Sequence, residues 1–200
     1  MPHHFFLDAQ PGAVAAAFSL PAEAALPWHE AVPGATVPVV VGAPRRLLAM
    51  RLGMIPMGRQ NARKRPVLET IVNARSETLF AKSAFAGLAR GLLPASGWYE
   101  WTGVGRRRRQ RWAVRMPGHP VIALAAVWDL WQAPGGSEVA SFATVTCIPN
   151  AEVAVVHDRM PVILAPAAWP LWLGEAEGDP AALLAPPPDG ALTVEPAPER

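Results

Sequence analysis

The sequence predicts an α+β fold: one domain built on a curled or barrel-like, mostly antiparallel sheet with a few helices. Short segments rich in strand-forming residues follow one another along residues 92–164, and turns containing Gly, Pro or Asn separate them. Only a few helical segments lie among the predicted strands. The chain has 200 residues, which is enough for one domain with a substantial core, and it contains no visible internal repeat.

The individual elements are predicted in order along the chain. Residues 12–20 are expected to form a helix, and two strands are expected at 36–41 and 47–52. The segment 76–91 fits an amphipathic helix with Gly91 as its stop. Further strands are predicted at 92–101, 111–116, 121–128, 139–147 and 160–164.

The chain changes composition after residue 174. The segment 175–200 is rich in Pro and in acidic residues, which is typical of an extended tail. We therefore expect a domain at residues 1–174 and a partly extended carboxyl-terminal tail at residues 175–200.

Composition limits the class of protein. Although 51% of the residues are hydrophobic, no apolar run approaches membrane-spanning length, and the first ten residues lack the charged-then-apolar build of a signal peptide. The single cysteine, Cys147, excludes an internal disulfide and a cysteine-based metal cluster, and its apolar surroundings indicate a small core residue. We expect a soluble, cytoplasmic monomer with no membrane partner, no metal and no other cofactor.

The charges are distributed unevenly along the chain. Residues 45–115 contain sixteen Arg and Lys against three acids, whereas residues 131–200 contain two bases and nine acids. Sixteen of the eighteen bases are arginine, which suits bidentate phosphate contacts and stacking on bases. The basic middle segment therefore predicts a face that binds a polyanion. The run GRRRRQR at 105–111, taken alone, is better interpreted as a solvated hairpin tip.

Three polar clusters interrupt the apolar background, and each has both a structural and a functional interpretation. In NARSET, residues 73–78, the polar groups could face one ligand, or they could satisfy a turn and a helix cap. In GWYEW, strand alternation places Tyr99 and Trp101 on one face and Glu100 on the other. Glu100 is then either an outward-facing strand residue or an acid–base group. In HDRMPVIL, residues 157–164, polar groups including a histidine precede a buried strand, and that histidine is either structural or catalytic.

In this order and spacing, NARSET, LPASGWYEW and HDRMPVIL resemble the SRAP family (SOS response-associated peptidase-like proteins), which includes abasic-site shielding proteins. The segments AAVWDLW, TVPVV and LGMIP are similar to family segments as well. The resemblance therefore extends from Met1 to about Gly174.

The resemblance implies binding to single-stranded or junction DNA and reaction with the ring-opened aldehyde of an abasic site. In the family, an amino-terminal cysteine exposed by removal of the initiator methionine forms a Schiff base and then closes a stable thiazolidine. By the matched motifs, Asn73 would position the amine and the adduct, Glu100 would shuttle protons, and His157 would assist as acid or base. Glu100 would be held in an apolar wall that raises its proton affinity toward working pH. The expected DNA contacts are Arg51, Arg59, Arg75, Trp101 and Arg159, of which Arg75 and Arg159 could instead hold the acids.

The amino terminus departs from the family pattern. The family usually begins Met-Cys-Gly-Arg-Phe, whereas this chain begins MPHHF and has Pro2 at the position of the cysteine. Without an amino-terminal thiol, a stable thiazolidine cannot close. Two other positions differ as well: Leu52 replaces a tryptophan before the glycine of LGMIP, and HEAVPG, residues 29–34, lacks an expected asparagine.

Proline at a chain terminus has chemistry of its own. Methionine before a small residue is usually removed, which would leave Pro2 with a free secondary amine, and an α-amino group titrates near ~8. Its attack on the aldehyde gives an iminium ion that acidifies the neighbouring sugar carbon. With Glu100 or His157 as the base, the 3′ phosphate could then be eliminated. These features predict an abasic-site lyase that acts through a transient iminium.

Two alternatives remain open. The chain could be a non-covalent binder of single strands or damaged junctions that uses its basic middle segment and the platforms Trp98, Trp101 and Trp112. A peptidase of the family type is not expected, because it needs the amino-terminal cysteine, and the pair Cys147 and His157 has no evident third orienting group. For the DNA-directed functions the expected partner is single-stranded or junction DNA containing abasic sites, and the expected location is at the nucleoid.

Overall fold

Two β-sheets organise the computed structural model, which describes residues 2–21, 27–42, 44–55, 70–81, 85, 87–103, 109–132 and 136–198. The strands are β1 (Phe5–Phe6), β2 (Glu30–Ala31), β3 (Thr36–Val41), β4 (Arg46–Leu52), β5 (Asn73–Arg75), β6 (Ala89–Ala95), β7 (Gly97–Thr102), β8 (Gln110–Arg115), β9 (Ile122–Gln132), β10 (Glu138–Cys147), β11 (Met160–Pro161), β12 (Ile163–Leu164) and β13 (Thr193–Ala197). The helices are α1 (Pro11–Phe18), α2 (Ala151–Ala154) and α3 (Trp169–Leu173), with 3-10 turns at Ser76–Thr78, Pro166–Ala168 and Pro180–Leu183. No helix in the described ranges is long and apolar enough to cross a membrane.

The larger sheet closes into a barrel. Its strands follow the order β10, β4, β3, β6 and β9, and β9 pairs back with β10. Every pairing in this ring is antiparallel except the short β10–β4 contact. The short strands β5 and β11 pair with β10, and β12 pairs with β9. This arrangement confirms the predicted α+β fold with a curled or barrel-like, mostly antiparallel sheet.

The smaller sheet brings the start of the chain next to the strand that carries Glu100. Its order is β13, β8, β7, β1 and β2, and all of its pairings are antiparallel. β6 of the barrel and β7 of the smaller sheet are separated only by Ser96, so one run of chain joins the two sheets. Within the carboxyl-terminal segment, β13 forms an edge of this sheet.

The core fills the barrel and the space between the sheets. Met50, Leu92 and Phe142 on barrel strands are fully buried. The helix α1 adds Phe18, whose ring stacks on Trp169 with centroids 4.5 Å apart. Cys147 on β10 is 1% exposed, and burial raises the pKa of its thiol to about 11. This environment agrees with the core role predicted for the cysteine, since the reactive thiolate form is suppressed.

Most of the predicted strands and the first helix are confirmed, but the helix predicted at 76–91 is wrong in the described part of that segment. A 3-10 turn occupies Ser76–Thr78, and β6 already begins at Ala89, so Gly91 lies inside a strand; residues 82–84 and 86 lie outside the described residues. β6 pairs on both sides, with β3 and β9, and a Cβ at Gly91 would lie 2.9 Å from Val39 Cγ1. Pairing inside the barrel therefore overrides the local helical pattern.

Two other predicted strands are each divided in two. The strand predicted at 92–101 breaks at Ser96, whose Oγ donates to Pro120 O (2.6 Å) and accepts from Asp8 N (3.1 Å). The strand predicted at 160–164 consists of β11 and β12, which pair with different partners. Both breaks occur where the chain passes from one strand partner to another.

Candidate functional site

Glu100 is a buried carboxyl in the middle of β7. Its side chain is 3% exposed, while Tyr99 and Trp101 on the other face of the strand are partly exposed, as strand alternation predicts. Burial raises the pKa of Glu100 to about 7, and Oε1 has no hydrogen-bond partner among the described residues. The indole of Trp98 slightly favours ionisation, although its Nε1 completes no hydrogen bond of normal geometry. A carboxyl with this pKa can both donate and accept a proton at neutral pH.

His157 is the group that faces Glu100. Its Nε2 lies 4.0 Å from Glu100 Oε2, slightly longer than a direct hydrogen bond. On the other side of the ring, Nδ1 accepts from Arg159 N (2.9 Å) and lies 3.0 Å from Asp158 Oδ1. A neutral ring that accepts from Arg159 carries its proton on Nε2, toward Glu100, whereas a charged ring can donate from Nδ1 to Asp158. Burial lowers the pKa of His157 below its usual value.

The strand β1 carries the start of the chain to this pair. Tyr99 N donates to His4 O (2.8 Å), and Phe5 pairs with Trp98. Pro2 is buried. After burial, which is the largest cause for each group, the positive charge of the chain's amino terminus lowers the pKa of both Glu100 and His157. The antiparallel pairing of β1 with β7 therefore places the start of the chain beside the strand that carries Glu100.

Asn73 on β5 has an unpaired donor. Because β5 pairs in parallel with β10, Asn73 lies beside Thr144, whose Oγ1 donates to Asn73 Oδ1 (2.8 Å). The amide nitrogen Nδ2 is buried and has no hydrogen-bond partner among the described residues. Among the described residues, no hydrogen bond joins Asn73 to Glu100 or to His157. The orphaned N–H group is therefore a donor that a bound substrate could satisfy.

Arg159 ties the segment that follows His157 to the segment that follows β5. Its guanidinium contacts both carboxylate oxygens of Glu77, with Nη2 2.9 Å from Oε2, and it also donates to Thr146 O on β10. The hydrogen bonds from Arg159 are the largest cause that lowers the pKa of Glu77 to about 2. The NARSET and HDRMPVIL clusters are thus joined by an ion pair. The side chain of Arg159 is 11% exposed, which favours the interpretation that it holds an acid.

The other predicted DNA-binding residues occupy different environments. Arg75 is exposed, and its side chain makes no hydrogen bond or ion pair with a described residue, whereas Arg51 is half-buried and donates from Nη1 to Gly53 O (2.8 Å). Trp101 is partly exposed, with the guanidinium of Arg109 5.8 Å from its ring centroid. Arg59 lies outside the described residues. Leu52, at the family's tryptophan position, is fully buried at the end of β4.

Sequence reasoning missed the residues that support this site. Thr144 and Glu77 hold Asn73 and Arg159, and nothing in their local pattern indicates it, because both contacts join segments far apart in the chain. His4 and Glu30 were missed as well, although they lie 3.0 Å apart. The available signal was the adjacent pair of histidines next to the amino terminus. A titratable group beside a predicted nucleophile is itself a reason to search for its partner.

The chain is similar to named proteins in sequence and to solved structures in fold. It is 28% identical over 159 residues to the abasic site processing protein YoqW of Bacillus subtilis (strain 168), covering 77% of this chain and 70% of that protein. It is 28% identical over 156 residues to the abasic site processing protein HMCES of Gallus gallus, covering 66% of this chain and 46% of that protein. A solved structure from Bacteroides thetaiotaomicron shares the fold with a TM-score of 0.81 at 20% identity, over 97% of this chain and 91% of that chain.

A second solved structure and a family model each match nearly the whole chain. A second solved structure, from Bordetella bronchiseptica, shares the fold with a TM-score of 0.77 at 22% identity, over 98% of this chain and 100% of that chain. The family model for SOS response associated peptidase (SRAP) matches residues 1–200. The chain therefore belongs to the SRAP family.

Proposed function

We propose that this chain processes abasic sites in DNA as part of the DNA damage response, with Pro2 as its nucleophile after removal of Met1. The relatives YoqW and HMCES are named abasic site processing proteins. The observation that carries the proposal is that β1 pairs with β7, so that the start of the chain, with its buried Pro2, runs beside the strand of Glu100, whose Oε2 lies 4.0 Å from His157 Nε2. Burial raises the pKa of Glu100 to about 7 and lowers the pKa of His157. A nucleophilic amine next to a carboxyl and an imidazole has the acid and the base that imine chemistry requires.

The covalent steps follow from these groups. The neutral nitrogen of Pro2 attacks C1′ of the ring-opened sugar, and its N–H proton moves to the former aldehyde oxygen to give a carbinolamine. The hydroxyl of the carbinolamine then leaves as water with a second proton supplied by protonated Glu100. The product is an iminium ion, because a secondary amine has no second proton to lose. Glu100 as carboxylate, or His157, then removes a proton from C2′, and the C3′–O bond breaks with its electron pair remaining on the departing phosphate. Water hydrolyses the iminium and restores the free amine.

The same groups exclude a stable cross-link of the thiazolidine type. Closing that ring needs a thiol on the β-carbon of the residue that carries the terminal amine, and Pro2 has none. Cys147 cannot substitute, because it is 1% exposed within β10 and burial raises the pKa of its thiol to about 11. We therefore propose a transient covalent intermediate that ends in strand cleavage.

Borohydride trapping tests this proposal. Protein whose amino terminus is confirmed as Pro2 by mass spectrometry is incubated with a single strand containing one abasic site, and sodium borohydride is added. Reduction of the iminium adds hydride and gives a permanent protein–DNA adduct, which we expect for the native protein together with strand cleavage in the absence of borohydride. The peptide that carries the DNA should begin at Pro2.

Matched proteins make the result specific. Protein with an acetylated amino terminus has no nucleophilic amine and should form no adduct. Glu100→Gln retains the amine and the shape of the side chain but loses the proton carrier, so we expect adduct formation to slow by about 10²-fold. The absence of any adduct with a confirmed Pro2 terminus, or undiminished trapping by the acetylated protein, would refute the assignment of Pro2.

A second candidate function is non-covalent binding of single-stranded DNA. The observation in its favour is the partly exposed ring of Trp101, which is approached by the guanidinium carbon of Arg109 at 5.8 Å. Trp98 is fully buried and cannot act as a stacking platform, contrary to the sequence-based expectation, whereas Trp112 is half-buried. Aromatic rings flanked by arginine bind bases by stacking without sequence preference.

Salt dependence separates the two candidates. A binder should show affinity for intact single strands that falls steeply as salt rises, because each neutralised phosphate releases counterions, and it should leave abasic strands uncut. A lyase should cleave abasic strands at a rate that depends on the terminal amine. Binding measured by fluorescence anisotropy at several salt concentrations, with cleavage measured on the same samples, selects between them.

A further inference from the structure

Three polar side chains form a second cluster on the face of the smaller sheet opposite Glu100. His4 Nε2 lies 3.0 Å from Glu30 Oε2, and Arg111 Nη2 donates to Glu30 Oε1 (3.3 Å). In the sheet order β8, β7, β1 and β2, Arg111 and Glu30 stand on the outer strands and His4 precedes β1. The cluster therefore spans all four strands. We call His4, Glu30 and Arg111 the outer clamp.

The aromatic rings of Tyr99 and Trp101 pack against the outer clamp. The ring of His4 lies edge-on to Tyr99 with centroids 5.1 Å apart and stacks on Trp101 with centroids 5.5 Å apart. The guanidinium carbon of Arg111 lies 3.5 Å from the centroid of Tyr99. The side chains of Arg111 and His4 are 6% and 15% exposed, and that of Glu30 is 29% exposed, so water screens these contacts less than it screens a fully exposed ion pair. The clamp is therefore built to hold His4 in one orientation.

His4 links the outer clamp to the candidate active site, because it lies two residues from Pro2. Phe5 and Phe6 are anchored in the core, at 0% and 1% exposure, and His4 is the next residue toward the terminus. The hydrogen bond from Tyr99 N to His4 O holds its backbone, and the clamp holds its side chain. Only His3 lies between His4 and Pro2. A rotation at His4 thus displaces the amine of Pro2 relative to Glu100 and His157.

We infer that His4 is a positioning residue, and that Glu30 and Arg111 hold it so that the amine of Pro2 faces Glu100 and His157. This inference rests on the proposed function. The clamp touches no reacting atom and acts only through the geometry of the terminus. Because a displacement of about 1 Å costs on the order of 10² in rate, such a device would change the covalent step while leaving DNA affinity in place.

The test measures single-turnover trapping at increasing concentrations of abasic single strand, which separates the maximal rate from the half-saturating DNA concentration. For His4→Ala and for Glu30→Gln we expect the maximal trapping rate to fall by about 10- to 100-fold. The half-saturating concentration should change by less than about twofold, and the midpoint of urea unfolding should remain close to that of the native protein. Since the two residues act as one unit, the double variant should be no slower than the slower single variant.

Two further variants distinguish positioning from a general structural role. His4→Gln keeps a side-chain N–H that can reach Glu30, and it should recover most of the rate lost in His4→Ala. Asp8→Asn is the matched control, because it removes another ion pair of the same sheet face, Arg115 to Asp8 at 2.7 Å, away from the clamp. We expect Asp8→Asn to trap at the native rate. Native trapping by His4→Ala, or an equal loss of rate in Asp8→Asn, would overturn the inference.

A DNA-independent measurement keeps the inference separate from the proposed function. The terminal amine is labelled with glyoxylate and cyanoborohydride, and the rate of labelling is followed by mass spectrometry. If the native protein forms no DNA adduct, the proposed function fails, and labelling alone decides the positioning role. A changed labelling rate in His4→Ala and Glu30→Gln but not in Asp8→Asn supports the clamp, whereas equal rates in all four proteins overturn it.

Discussion

At the scale of single residues, burial shifts the pKa values of Glu100 and His157 in opposite directions. Burial raises the pKa of the Glu100 carboxyl to about 7 and lowers the pKa of the His157 imidazole from its usual value of 6.5. The pKa values of an isolated Glu carboxyl and an isolated imidazole differ by about two units, and this difference favours an ionised carboxylate beside a protonated imidazole. The carboxyl of Glu100 can therefore hold or release a proton near neutral pH. This property suits a site that must both donate and remove protons in successive steps.

The raised pKa of Glu100 predicts a specific dependence of stability on pH. The folded state holds this proton more tightly than the unfolded state does, so the free energy of unfolding contributed by Glu100 falls as pH rises from about 4.5 to about 7. The full effect is on the order of 3 kcal/mol for a fully buried group. The effect of His157 on stability runs in the opposite direction. Because its pKa is lowered in the folded state, the folded protein binds this proton less tightly than the unfolded chain, and the free energy of unfolding falls as pH drops below 6.5.

We expect Glu100→Gln to remove the contribution of the carboxyl. The variant should be more stable than the native protein at pH 8 and should lose most of that advantage at pH 4.5, as measured by urea unfolding at a series of pH values. Glu138→Gln, at an exposed position, is the control and should change the free energy of unfolding by less than about 0.5 kcal/mol. A constant difference between Glu100→Gln and native protein across this range would show that Glu100 titrates normally.

At the scale of elements, β7 depends on a close approach at its first residue. A Cβ at Gly97 would lie 2.2 Å from the backbone oxygen of Val114 on β8 and 2.6 Å from Phe6 Cζ on β1. Neither neighbour can yield easily, because one is backbone and the other is a fully packed ring. Gly97 therefore lets β7 lie tightly between β1 and β8. The same contact brings the start of the chain and Glu100 onto adjacent strands.

A pair of glycine substitutions tests this contact. Gly97→Ala should destabilise the protein by about 3 kcal/mol or more, because the added methyl group overlaps backbone. Gly12→Ala is the matched control: it lies in α1 with no atom within 4 Å of the added Cβ, and it should stabilise by about 0.5–1 kcal/mol through helix propensity. Denaturant midpoints measure both. Similar midpoints for the two variants would contradict the close approach.

At the scale of the whole molecule, the carboxyl-terminal segment pairs with the smaller sheet and contacts the helix α2. The strand β13 pairs with β8 through five residue pairs, from Thr193 with Arg115 to Ala197 with Arg111. Leu192 just before it is 4% exposed. Asp189 accepts from Ala151 N at the start of α2 (2.9 Å), the helix that precedes His157. The predicted division of the chain at residue 174 can therefore be tested by its energetic cost.

We expect truncation after Gly174 to lower the thermal midpoint by on the order of 10 °C, because β8 becomes an edge strand and apolar surface under Leu192 is exposed. Calorimetry of the full chain should show one transition rather than two. A truncated protein that unfolds at the same temperature as the full chain would support an independent domain at residues 1–174.

Some elements were predictable because local pattern and final environment agree. The run TVPVVV is a strand in any context that buries it, and it became β3 with the predicted bounds. The alternation in GWYEW correctly placed Glu100 opposite Tyr99 and Trp101, since alternation is a property of an extended chain. The segment after Thr78 shows the limit. Its helical pattern was real, but pairing with β3 and β9 decided the structure of Ala89–Gly91.

The family and the barrel-like α+β class could be predicted from residue types and their spacing alone, and the same motifs predict Pro2, Asn73, Glu100 and His157 as site residues. The contacts around these residues could not be predicted in that way. Glu100 is buried 4.0 Å from His157, Arg159 is held by Glu77, and His4 contacts Glu30, which also accepts from Arg111. Those contacts join strands far apart in the chain, and desolvation, which sets the pKa values, exists only once the strands have assembled.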